Sequence, residues 1–89
     1  MNQIRRSSSS VPSNISEGFS QRFYIKRFLN YLNIALGSSD ETQNHLRVLY
    51  KKNYTNKEQS DHYLNRYKNL SIKILNLIRY LKQKHNIII

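Results

Sequence analysis

The chain has no cysteine, one proline, two glycines, and five carboxylates against fifteen lysines and arginines. Without cysteine, neither a disulfide nor a thiolate metal site can staple so small a domain. With so little proline and glycine, long helices are favoured over a turn-rich β fold. No run approaches the ~20 apolar residues that a membrane span needs, and the N-terminus lacks a signal-peptide core. A soluble cytoplasmic protein with no membrane partner is the expectation. The shortage of acid leaves a formal net charge of +10 on 89 residues, which favours a polyanionic partner. Part of the lysine excess has a compositional explanation, because Asn, Ile, Lys and Tyr are the residues that AT-rich coding enriches. That bias gives no reason for seven of the fifteen cations to be arginine, or for glutamate to be so scarce.

What is present is periodicity. From Tyr24 to Tyr50, apolar or small residues fall at Ile25, Phe28, Leu29, Leu32, Ala35, Leu36, Ser39, Leu46 and Tyr50. Steps of three and four place them on one face of a helix about 42 Å long. A second row (Tyr24, Tyr31, Ile34, Val48) suggests a second buried contact. Gly37 costs roughly 1 kcal/mol relative to alanine in mid-helix, so it is expected at a close helix crossing. Ser38, Ser39, Asp40 and Glu41 form a polar island where the helix could bend.

The stretch before it, MNQIRRSSSSVPSNISEGF, reads two ways. Its serine run has the composition of a disordered linker, yet Ile4, Ser8, Val11, Ile15 and Phe19 keep helical spacing. The helical reading is preferred, with a kink or restart at Pro12, which removes a donor and clashes with the Ser8 carbonyl. Gly18 suits the C-terminus of that helix and Ser20 the N-cap of the next. So short a link makes the two antiparallel. Beyond Tyr50, Lys51 and Lys52 suit a helix C-terminus, and Asn53 suits a left-handed cap. Thr55 to Glu58 fits a capping box. The third helix then carries Tyr63, Tyr67, Leu70, Ile74, Leu77, Ile78 and Leu81 on one face, widened by Leu64, Ile72 and Leu75. Ile87 to Ile89 form a short apolar tail. The expected architecture is all-α, one domain over 1–89, with helices near 2–18, 21–52 and 56–84. Three such helices make a bundle missing a wall, which points to self-association.

At this point several blocks coincide with a known pattern: Gln3-Ile-Arg-Arg6, Val11-Pro-Ser-Asn-Ile-Ser-Glu-Gly18, Arg27-Phe-Leu29, Ile34-Ala-Leu-Gly-Ser38 and Glu41. Together they resemble the four-helix-bundle proteins encoded within intervening sequences of bacterial 23S ribosomal RNA genes. The accessory bundle protein of diversity-generating retroelements is similar to that group. The resemblance rests on Gln3 to about Leu46, with Lys57 to Lys84 matching only as a generic last helix. It implies an antiparallel up-and-down four-helix bundle that assembles as a homopentamer, in which Arg5, Arg6, Pro12, Asn14, Glu17, Gly18, Arg27, Gly37, Ser38 and Glu41 belong to the structural motif. In that pattern a whole first helix precedes the Gln-Ile-Arg-Arg segment, so this chain is expected to be a bundle lacking its first helix. The serine run then corresponds to small residues in a packed helix.

Chemistry is harder to find. On the third helix His62, Arg66, Asn69, Lys73, Asn76, Tyr80 and Lys84 recur at steps of four and three. Arg66, Lys73 and Lys84 would neutralise phosphates, while Asn69, Asn76 and Tyr80 would donate to them or stack on bases. The competing reading of this row is an ordinary solvated face. Arg5, Arg6, Arg22, Lys26 and Arg27 gather around the first turn. There an ion pair of Glu17 with Arg27 or Arg22 is favoured over a phosphate clamp. The three histidines lie in no metal-ligand spacing, and His45 is expected to cap a polar patch. Asp40 and Glu41, the one adjacent carboxylate pair, would point about 100° apart on a helix, poor geometry for a general acid and base. The expectation is a non-enzymatic, self-assembling protein with no metal, cofactor or small-molecule substrate, contacting RNA or DNA through a basic surface. The alternatives are a scaffold that holds a nucleic-acid enzyme such as a reverse transcriptase, or a truncated gene product.

Overall fold

The computed structural model describes residues 2–87. They form three helices, α1 (Asn2–Ser20), α2 (Ile25–Lys51) and α3 (Lys57–Lys84), with no strand among the described residues. The molecule measures 46 × 21 × 18 Å, its long axis close to the length of one long helix. α1 and α3 both pack on α2, and no Cα of α1 comes within 8 Å of a Cα of α3.

α1 runs through Pro12 as one helix, with no restart. Its serines are accommodated by bonding back to the preceding turn: Ser7 Oγ donates to the Ile4 carbonyl at 3.2 Å, and Ser9 Oγ to that of Arg5 at 2.7 Å. Such bonds satisfy a hydroxyl without breaking the helix. Val11 is buried, and Ile4, Ser8 and Ile15 are half-buried, so the helical spacing of this segment marks its inner face.

The expectations at the first turn are corrected. Gly18 lies inside α1, which continues to Ser20, and the Ser20 hydroxyl turns back to the Glu17 carbonyl at 2.7 Å. Tyr24 is the N-cap of α2, with no side-chain capping bond. Gly18 instead marks the close approach of α1 and α2. A Cβ there would stand 3.0 Å from Tyr31 Cβ and 3.2 Å from Phe28 Cδ1. Gly37, for which the close crossing was expected, has no atom within 4 Å of the position its Cβ would take. The reason is angular. At 100° per residue, buried Ala35 and Ser39 lie about 40° apart, and position 37 falls on the far side of the helix.

The second turn has Asn53 at φ 63°, the left-handed cap the sequence suggested. The capping box is one residue later than expected. Asn56 accepts from the Gln59 amide at 2.7 Å, and Gln59 Oε1 accepts from the Asn56 amide at 3.2 Å. Asparagine ranks above threonine as an N-cap, and the Thr55 hydroxyl is left shielded without a partner.

The core joins Val11 of α1, Phe28, Leu29, Leu32 and Ala35 of α2, and Ile74, Ile78 and Leu81 of α3. Ile15, Ile25, Leu36, Leu70 and Ile87 pack against it; Ile88 and Ile89 lie outside the described residues. Farther along α2, the polar island forms two hydrogen-bonded seams within an uninterrupted helix. Toward α1, Thr42 Oγ1 donates to Ser7 Oγ at 2.8 Å, and the Ser10 and Ser38 hydroxyls meet at 2.9 Å. Toward α3, Ser71 Oγ stands 2.7 Å from Ser39 Oγ and 2.8 Å from Asp40 Oδ1. Gln43 Nε2 donates to Ser71 Oγ at 3.2 Å.

The second row of α2 is not a buried contact. Tyr24, Ile34 and Val48 are exposed and only Tyr31 is half-buried. The wide stripe of α3 is buried unevenly: Ile74, Ile78 and Leu81 face the core, while Tyr63, Ile72 and Leu77 remain exposed.

Candidate nucleic-acid interface

α3 holds its outer face because its inner face is fixed. Ile74, Ile78 and Leu81 share one face and are in the core. The row from His62 to Lys84 lies about 120° round the helix from them, on the solvent side. His62, Arg66, Asn69, Lys73, Asn76, Tyr80 and Lys84 are all exposed. Arg66, Asn69 and Lys73 line a shallow groove with Tyr63, Tyr67 and Leu70, so the middle of the row adjoins apolar surface. Lys84 Nζ stands 6.0 Å from the centroid of the Tyr80 ring. Asn76 and His62 lie outside the groove, and His62 packs edge-on against the Tyr63 ring at 5.0 Å.

One signal in the sequence was missed. After Asp61 the chain contains no Asp or Glu, while Arg66, Lys68, Lys73, Arg79, Lys82 and Lys84 supply six cations. Beyond Asp61, α3 therefore carries no carboxylate of its own, and Asp40 of α2 reaches it at Ser71. Lys68 and Arg79 are exposed as well, together on another face of α3, about 100° or more round the helix from the row.

The basic cluster at the first turn is not organised as expected. Among the described residues, the one basic side chain within 4.0 Å of a carboxylate is His45, whose Nε2 stands 3.3 Å from Glu41 Oε1, a hydrogen bond that becomes an ion pair when the imidazole is protonated. Glu17 pairs with neither Arg22 nor Arg27. The Arg22 guanidinium instead lies over the Phe19 and Phe23 rings, and that of Arg27 over Tyr24. Stacking on a ring face costs a guanidinium less solvation than an ammonium would lose, so the exposed rings of this turn hold the arginines. Arg5 and Arg6 are exposed on α1.

Residues 1–76 match the family of 23S rRNA-intervening sequence proteins. The chain belongs to that family. The match takes in all of α1 and α2 and most of α3, reaching Asn76 of the basic row. Comparisons with curated proteins and with solved structures returned no match.

The residues on which the resemblance rested divide by position in the fold. Gly18 and Ser38 serve packing: one lets α1 and α2 meet, and the other hydrogen-bonds to α1. Asn14 reinforces α1, its Nδ2 donating to the Ser10 carbonyl and hydroxyl at 2.8 Å each. Arg5, Arg6, Pro12, Glu17, Arg27, Gly37 and Glu41 are exposed. No helix is long and apolar enough to cross a membrane, and no three His, Asp or Glu side chains come together among the described residues.

Proposed function

We propose that this 23S rRNA-intervening sequence protein is a non-enzymatic, cytoplasmic member of an antiparallel up-and-down bundle architecture that self-associates and contacts nucleic acid. The antiparallel reading is supported by the register of the side-chain contacts. As the α1 partner rises from Ser7 through Ser10 to Gly18, the α2 partner falls from Thr42 through Ser38 to Tyr31. Self-association is supported by the separation of α1 from α3 and by the apolar side chains left outside. Ile34 and Val48 on α2, with Tyr63, Ile72 and Leu77 on α3, give a second copy apolar surface to cover. The resemblance implies five copies.

The observation that carries the nucleic-acid reading is the exposed row of α3, lying in a stretch of six cations and no carboxylate. Lysines and arginines on one helix face neutralise phosphates without reading sequence, and binding of that kind releases counterions. Affinity for generic RNA or DNA should therefore fall steeply from low to physiological salt, with little sequence preference. Replacing Arg66, Lys73 and Lys84 together by glutamine should lower the slope of log affinity against log salt by about two to three units while preserving helicity. An unchanged slope would make this face an ordinary solvated surface.

A further inference from the structure

At the turn between α1 and α2 the molecule exposes rings that a folded chain would ordinarily cover. Phe23 is 83% exposed, Tyr24 62% and Phe19 58%, within six consecutive residues. Each is held beside a guanidinium. The Arg22 Cζ lies 4.6 Å from the Phe19 ring centroid and 4.7 Å from that of Phe23, and the Arg27 Cζ lies 4.8 Å from that of Tyr24. Arg22 is also anchored to the Phe19 carbonyl at 3.0 Å and Arg27 to Gln21 Oε1 at 3.3 Å. These bonds hold the cations in place beside the rings. Lys26 and Arg27 continue into a shallow groove with Gln21, Asn30, Tyr31 and Ile34. No Asp or Glu occurs between Gly18 and Ser39.

We infer that this turn is a separate binding site for unpaired bases of single-stranded nucleic acid. The inference rests on the nucleic-acid reading above but uses different residues and different chemistry. A base has two flat faces and a phosphate on either side. Exposed rings offer the faces a stacking surface, and neighbouring arginines offer the phosphates charge. A duplex fits poorly, because its base faces are already stacked and hidden, leaving only phosphates to recognise. An acidic protein segment would satisfy the arginines but has no need of Phe23 and Tyr24. The turn itself provides aromatic, basic and amide side chains, and the adjoining shallow groove offers a peptide anchor Ile34 as its one aliphatic side chain. Apart from Phe19, which also packs edge-on against core residue Phe28 at 6.4 Å, these rings have no evident structural task.

The test is fluorescence anisotropy on the full chain with three probes: an oligouridylate and an oligothymidylate of about 12 nucleotides, and a duplex of the same length. Both single strands should bind at least about tenfold more tightly than the duplex. Phe23→Ala and Tyr24→Ala should each weaken single-strand binding by about tenfold, leaving duplex affinity and the salt slope unchanged. Both rings are exposed, so helicity should survive, and circular dichroism checks it. Phe23→Leu should lose as much as Phe23→Ala, whereas Phe23→Trp should restore binding, since the ring and not its hydrophobicity is used. Equal affinity for single strand and duplex, or single-strand affinity unmoved by both alanine variants, would overturn this site alone. A polyglutamate peptide displacing the single strand as well as an oligonucleotide of equal charge would also overturn it, in favour of an acidic protein partner. Failure of every probe to bind at low salt would remove this site and the α3 reading together.

Discussion

Between Ile25 and Leu36, α2 offers its neighbours carbon: Phe28, Leu29, Leu32 and Ala35 are buried against Val11, Ile74, Ile78 and Leu81. Between Ser38 and Gln43 it offers hydroxyls and an amide, and Ser39, Thr42 and Gln43 are buried with Ser7 and Ser71 as partners. Both stretches face the same two helices. An apolar contact is non-directional and tolerates small slides along the helix, so the first stretch contributes stability with little preference for register. A buried hydroxyl must meet its partner at hydrogen-bond distance or lose its solvation unreturned, so the second stretch sets register at little net gain. The difference teaches that one helix can divide affinity and alignment between its two halves.

Substitutions can break this contrast, starting with the largest effect. Leu32 is 1% exposed at the centre of the apolar half, so Leu32→Ala should cost about 2–5 kcal/mol in denaturant unfolding. A cost below 1 kcal/mol would mean that the apolar half is loosely packed. In the polar half, Thr42→Val keeps the shape and deletes bonds to Ser7 Oγ and the Ser38 carbonyl. It should cost only about 1 kcal/mol. Adding Ser7→Ala should cost less than the two single changes summed, because the double variant leaves neither partner unsatisfied. Strict additivity would mean that the two hydroxyls do not act as a pair.

The two glycines sharpen the comparison at smaller amplitude and with opposite signs. Gly18→Ala would press a methyl against Tyr31 Cβ, which can yield only if α2 moves. Overpacking costs about 1–3 kcal/mol and better helix propensity returns about 1, leaving a net loss near 1 kcal/mol. Gly37→Ala meets no neighbour and should stabilise by about 0.5–1 kcal/mol. Thermal unfolding of both variants side by side reads the signs directly. A stabilised Gly18→Ala protein would move the close approach of α1 and α2 elsewhere.

The all-helical class and the inner stripes were legible because apolar side chains at steps of three and four have one economical explanation. Val11, Phe28, Leu29, Leu32, Ala35, Ile74, Ile78 and Leu81 all fell on faces the sequence had marked. Gly37 was misread although its angle was available, because its helix cost was weighed and not its place opposite the marked face. Gly37 lies opposite Ala35 and Ser39, and Gly18 was taken for a helix end when its helix continued past it. The capping box slipped by one because Thr55-Glu58 and Asn56-Gln59 satisfy the same pattern, and local geometry chose the stronger cap. The basic row was legible as spacing. Its strength came from what α3 lacks after Asp61, carboxylates, which a search for positive residues does not register. The aromatic turn was illegible because Tyr24 continued the helical pattern on paper, while the chain leaves the helix at Gln21 to Tyr24.

Self-association is the claim on which the reading of this fold depends most. Sedimentation from nanomolar to tens of micromolar, with dye binding measured in parallel, tests it directly. Oligomers should form in the micromolar range. The dilute monomer should bind a hydrophobic dye, and that binding should fall as the oligomer forms over Ile34, Val48, Ile72 and Leu77. A compact monomer at every concentration, with cooperative unfolding and no dye binding, would contradict the account.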